Sequence, residues 1–147
     1  MMKRILVPID FSNHSKNALI YAVTFAKQFE AELLLVYVVE PAVYPADFSF
    51  GQVHVSNIEA ELRVHGKQEL EKLVENVIAG QVKSTCIVRT GKPYNEIIKT
   101  STEEGVDLIV IATHGHTGVE HILFGSTAEK VIRKAPCPIL VLRSAKQ

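Results

Sequence analysis

Asp107-Leu108-Ile109-Val110-Ile111-Ala112-Thr113-His114-Gly115-His116-Thr117-Gly118, continued by Gly125-Ser126-Thr127-Ala128-Glu129, decides the fold, because it joins an apolar run to a helix start through glycines. Asp107 to Ala112 reads as a buried strand. Ser126, with Glu129 three positions on, reads as a capping box that opens the next helix. Gly125 stands just before the free N–H groups of that helix. Those donors and the positive end of the helix dipole favour an anion, and a residue without a side chain lets a phosphate oxygen approach. The competing reading of the same spacing is an ordinary glycine-punctuated surface loop before a well-capped helix.

The chain has 147 residues, the size of one ordinary domain with a real core. Residues 1–147 are therefore read as a single domain with one site. Lys and Arg number 16 against 16 Asp and Glu, and without a cationic excess nucleic acid is a poor partner. Met1-Met2-Lys3-Arg4 is followed by only Ile5-Leu6-Val7, too little for a signal segment. The longest apolar run extends from Leu33 to Val39, far short of the roughly twenty residues a membrane span needs. A soluble, cytoplasmic protein without a membrane span is the expectation. Cys86 and Cys137 lack metal or redox spacing and read as packing residues.

Strand signals alternate with helix signals throughout, which predicts a parallel sheet covered by helices. Arg4 to Val7 is the first strand. Ser12 or Asn13 caps a helix with Ala18, Ala22, Phe25 and Phe29 on its buried face. Glu32 to Val39 reads as a strand buried on both faces. Glu40 to Val55, with Pro41, Pro45 and Gly51, reads as a long connection. Ser56 and Glu59 form a second capping box, before a helix whose buried stripe is Ile58, Leu62, Leu70, Leu73 and Val77. Ser84 to Arg89 is the third strand, Pro93 opens a helix and Gly105 ends it. A helix from Ser126 to Ala135 and a strand from Ile139 to Leu142 complete five strands and four helices.

Ligands of open parallel sheets bind beyond the carboxyl ends of the strands, where strand order reverses. Proline lacks a ladder donor, so pairing should stop near Pro8 and leave Asp10 in the loop beyond the first strand. If the first and fourth strands are neighbours, Asp10 faces the glycine turn, where it could accept from ribose hydroxyls or help hold a divalent cation. A plain acid at a helix start is the alternative.

These segments together resemble the universal stress protein family over essentially the whole length. Nucleotide-binding members carry a glycine, two residues, a glycine, nine residues, then glycine with serine or threonine. That register falls here on Ala112, Gly115, Gly125 and Ser126, so all but the first position match. Ile5-Leu6-Val7-Pro8-Ile9-Asp10 and Pro136-Cys137-Pro138-Ile139-Leu140-Val141 also look like the family's. The resemblance implies an α/β fold of three layers, an open five-stranded parallel sheet of order 3-2-1-4-5, adenine nucleotide alpha hydrolase-like, with ATP at the switch between strands 1 and 4. By the same resemblance Gly115, Gly125, Ser126 and Thr127 hold phosphates, with Mg or Mn as counter-ion. Asp10 then lies by the ribose or adenine, the backbone near Val38 meets the adenine edge, Pro8 lines the pocket and Glu40 to Val55 forms a flap. Ala112 departs from the pattern by one methyl group beside the phosphates.

Other chemistry fits less well. His114, His116 and His121 offer no rigid tetrahedral set with an acid or cysteine, which disfavours zinc; His116, beside Gly115, suits phosphate when protonated. His114-Gly115-His116 differs from the nucleotidylyltransferase motif, which has a further residue between its first histidine and glycine. There is no G-x-x-x-x-G-K-[ST] loop and no G-x-S-x-G elbow. With no lysine in the glycine turn, no arginine finger and no general base beyond Asp10, catalysis is incidental. The expected function is an ATP-binding regulatory protein of the stress response. The alternatives are a slow ATPase or phosphotransferase using Asp10 with a divalent ion, and a dimeric interaction module without nucleotide, with Ala112 as the reason. A homodimer is expected through Ile139, Leu140, Val141 and Leu142, since an aliphatic strand at a sheet edge invites pairing.

Overall fold

Five apolar runs become five parallel strands: β1 (Arg4–Pro8), β2 (Glu32–Val39), β3 (Ser84–Thr90), β4 (Leu108–Ala112) and β5 (Ile139–Leu142). The computed structural model describes residues 1–41, 51–113 and 125–143, the side chains of 51–56 excepted. The sheet order is β3-β2-β1-β4-β5, and every pairing is parallel. Among the described residues, four helices cover the sheet: α1 (Asn13–Phe29), α2 (Gly51–Leu73), α3 (Pro93–Glu103) and α4 (Ser126–Lys134).

Alternation along the strands divides the core in two. Ile5, Val7, Leu33, Leu35 and Val110 pack with Leu19, Ala22 and Leu70 of α1 and α2. Leu6, Leu34, Val36, Ile109 and Ile111 pack on the other face with Ile97, Ala128 and Val131 of α3 and α4. β1 lies in the middle, and Ile5, Leu6 and Val7 are each 0% exposed. Strands buried on both faces have to be continuously apolar, and this central one is.

The helices follow local chemistry, with corrections. Ser12 caps α1, its side chain accepting from the Ser15 N–H. Ala18, Ala22 and Ala26 form a close-packing stripe on the sheet, but Phe29 is exposed and stacks on Phe25 at the rim instead. α2 begins at Gly51, so its start lies within the predicted Glu40 to Val55 connection. Ser56 and Glu59 therefore stand inside the helix rather than capping it. Ile58 and Leu62 are exposed, because the buried stripe of α2 starts only where the helix reaches the sheet.

Beyond Leu73 the helix widens into a π-type turn, Val74–Ile78, closed by the Ala79 N–H on the Val74 C=O at 2.8 Å. The extra residue shifts the helical phase. It buries Ile78 completely and leaves Val77 only partly covered, where unbroken periodicity named Val77. Pro93 opens α3, and Gly105, at φ +59, turns the chain after it. β1 ends at Pro8 as a strand lacking a donor there should, although the Ile9 N–H still reaches the Val36 C=O at 2.8 Å.

Candidate functional site

The neighbours of β1 are β2 on one side and β4 on the other, so the order reverses between β1 and β4 and opens a crevice at their carboxyl ends. A cleft of about 430 Å³ occupies that position. Pro8, Asp10, Val38, Ala112, Gly125, Ser126 and Thr127 all line it. Gly115 and His116, with His114 and His121, lie outside the described residues, as does 42–50 of the expected flap.

The start of α4 forms one wall, and it is built differently from the capping box expected. Gly125 is the N-cap; its C=O accepts from the Glu129 N–H at 3.0 Å, and its own N–H donates to the Thr113 C=O. Ser126 is the first helical residue and no side chain caps the helix. Glu129 pairs with Arg133 at 2.8 Å instead of reaching back. Since the residue whose carbonyl takes the first intrahelical bond is the cap, Gly125 displaces Ser126 from that role. Its φ of −59° suits any residue, so what glycine supplies here is a wall without a side chain. The Ser126 hydroxyl is left exposed at the cleft with the first backbone N–H groups of α4.

Pro93 and Ile97 bring the start of α3 to the same cleft, and its cap, Lys92, also makes no side-chain bond to the helix. Two helix N-termini thus face one space, and their dipoles make that side electropositive.

Asp10 forms the opposite side. Its Oδ1 accepts from the Ser12 N–H at 3.0 Å and from the Ser12 hydroxyl at 2.5 Å. That hydroxyl in turn accepts from the Ser15 N–H at 3.1 Å. Asp10 therefore closes a turn ahead of α1 and is not an acid within its first turn. Phe11, which follows, has φ +64°, a left-handed conformation that costs about 1–2 kcal/mol for a residue with a side chain. Its ring packs on Tyr37 at 4.9 Å between centroids, which holds the bend that delivers Asp10 to the cleft.

Tyr37 is a cleft residue that sequence reading missed. Burial, then the Asp10 and Glu40 carboxylates, push its phenol above the ordinary value. Its ring sits in a notch on α2: a Cβ at Gly66 would lie 2.4 Å and 2.6 Å from the ring carbons. No periodicity signals this contact, because it joins a mid-helix glycine to a strand residue far away in the chain. Ser15, Glu40 and Thr113 also line the cleft. Its β1–β2 side is acidic and its helix side electropositive, which suits a ligand with an anionic end and a hydrogen-bond-donating end.

Ala112 ends β4 in register with Leu142 and has no positive φ, so its methyl needs no special backbone. Among the described residues no group of three His, Cys, Asp or Glu could hold a metal. A divalent ion at this cleft would thus depend on ligand oxygens as well as Asp10.

A family model described as "Universal stress protein family" matches residues 1–143. The chain is 36% identical over 150 residues to universal stress protein MJ0531 of Methanocaldococcus jannaschii, covering 100% of this chain and 85% of that one. Among solved structures it is similar to universal stress protein UspA from Lactobacillus plantarum, with a TM-score of 0.86, 26% identity, and 96% and 97% of the two chains covered. A universal stress protein solved in complex with cAMP shares the fold, at a TM-score of 0.66 and 20% identity, over 97% of each chain.

Proposed function

The chain belongs to the universal stress protein family, and from that premise we propose that it is an ATP-binding regulatory protein of the stress response, acting through nucleotide-dependent interactions. The observation that carries this reading is the cleft between the bare Gly125 wall and Asp10. Phosphates are assigned to Gly125, Ser126 and Thr127, with Gly115 and His116 from the adjoining segment. Asp10 faces the ribose, the backbone at Val38 the base, and Pro8 and Ala112 line the space between. At about 430 Å³ the cleft lies within the range of small-molecule sites. A Mg or Mn counter-ion on the phosphates would offset their charge. Among the described residues none at the cleft pairs an activated nucleophile with a cation, and binding rather than turnover is the function assigned. The same reading makes the protein cytoplasmic; among the described residues no helix is long and apolar enough to cross a membrane.

Calorimetry with nucleotide-stripped protein, ATP and a divalent cation tests this directly. Saturable heat is expected, with Gly125→Val abolishing most of it. No heat and no thermal stabilisation at millimolar ATP would overturn the nucleotide reading and leave an interaction module.

The homodimer is proposed through β5. This strand is a sheet edge of four half-buried aliphatics, Ile139 to Leu142, and unpaired edge backbone of that kind favours a second copy. Light scattering should give twice the chain mass, and Val141→Asp should halve it.

A further inference from the structure

The two edges of this sheet are not equivalent. In β3 the groups that pair with β2 belong to odd-numbered residues: the Lys83 C=O accepts from the Leu33 N–H, and the Gly91 N–H donates to the Val39 C=O, both at 2.9 Å. Backbone groups of a parallel strand alternate sides, so Ser84, Cys86, Val88 and Thr90 direct theirs outward. Two of the outward carbonyls are occupied. Lys67 Nζ donates to the Cys86 C=O at 3.3 Å and Arg63 Nη2 to the Val88 C=O at 3.2 Å, while Arg63 Nη1 reaches Thr90 Oγ1 at 2.7 Å.

Arg63 and Lys67 stand one turn apart on α2, and Gly66 beside them lets the helix settle against Tyr37 of β2, near enough for both side chains to reach over the edge. Among the described residues, neither cation makes an ion pair, so their charge stays at the edge. By contrast no described side chain donates to β5.

We infer that the β3 edge is a latent self-pairing surface held shut by Arg63 and Lys67, and that its partner once opened is the β3 edge of a second copy of this chain. β3 is 7 residues long against 4 in β5, so two copies related by a two-fold axis pair equal lengths. Cationic side chains on an edge are a known block to such pairing. The block matters because of closure. A chain with one self-complementary edge stops at two copies, whereas two such edges on one chain build an open array.

The test replaces the donors and keeps the stems: Arg63→Met with Lys67→Met. Sedimentation velocity over a concentration series should show mass rising past the wild-type value, with the circular dichroism of the fold retained. Adding Val88→Pro should return the mass to the wild-type value, because the lost N–H points outward and is not used by β2. Adding Val141→Asp, which addresses β5 alone, should leave the β3 contact able to double the mass. Arg63→Lys with Lys67→Arg should behave as wild type. If the paired methionine variant does not fold, the single Arg63→Met and Lys67→Met variants carry the test, each with a smaller rise. Folded methionine variants that keep the wild-type mass at every concentration would overturn the inference, as would a rise that Val88→Pro does not reverse. The inference stands apart from nucleotide binding; only its consequence for closure rests on the proposed β5 contact.

Discussion

Ser126 shows how one residue's role depends on a neighbour. Because Gly125 is the cap, Ser126→Ala should change unfolding stability by less than about 0.5 kcal/mol, not the 0.5–2 kcal/mol or so of a lost cap. Urea denaturation checks this, while an ATP titration of the same variant should show weakened binding. Ala112→Gly should alter ATP affinity by about tenfold or less, on the order of 1.4 kcal/mol, and Ala112→Leu should abolish it. Gly66→Ala sets two effects against each other. Alanine favours a helix by about 1 kcal/mol, but a Cβ 2.4 Å from the Tyr37 ring forces repacking that costs about 1–3 kcal/mol. A lower urea midpoint is expected, with weaker ATP binding because Tyr37 braces the bend at Phe11. That Pro8, Asp10 and Gly125 meet at one cleft was legible because proline and glycine punctuate strand ends. Tyr37 and Gly66 were not, since an aromatic in an apolar strand and a glycine in a helix look like core and flaw until folding joins them.

Element boundaries were legible where a residue type acts on the backbone locally. Ser12, Pro93 and Gly105 mark the limits of α1 and α3 for that reason. The start of α2 carries no such mark at Gly51, and Ser56 with Glu59 supplies a false one, since a capping pattern can occur inside a helix. The π-type turn was illegible because one extra residue breaks the period by which buried positions are found. Its exit is strained: Ala79 has φ +49°, which a side chain resists. Ala79→Gly should therefore raise stability by about 0.5–1 kcal/mol after the added chain entropy is discounted, seen as a higher urea midpoint with an unchanged slope.

At the scale of the whole molecule, strand order was legible from the family's pattern of segments, whereas the contacts that join distant strands were not. Asp107, just before β4, accepts from the Lys3 and Arg4 N–H groups at 2.8 Å and 3.0 Å, tying it to the start of β1. These bonds hold its carboxyl below the ordinary value of 3.8. A depressed folded-state pKa gives stability that is present above the unfolded value and lost as the pH falls through the folded one. Wild type should thus lose stability below about pH 4 more steeply than Asp107→Asn, as thermal unfolding across pH 2–6 would show. Burial pushes the Cys86 and Cys137 thiols above their ordinary value, so both should react with a thiol reagent at neutral pH far more slowly than in urea. One bond described above has a wider reach. The Gly125 N–H on the Thr113 C=O clasps together the two ends of everything written between them. Thr113 follows β4 and Gly125 caps α4, so this one bond carries any shift of the sheet directly to the wall of the cleft.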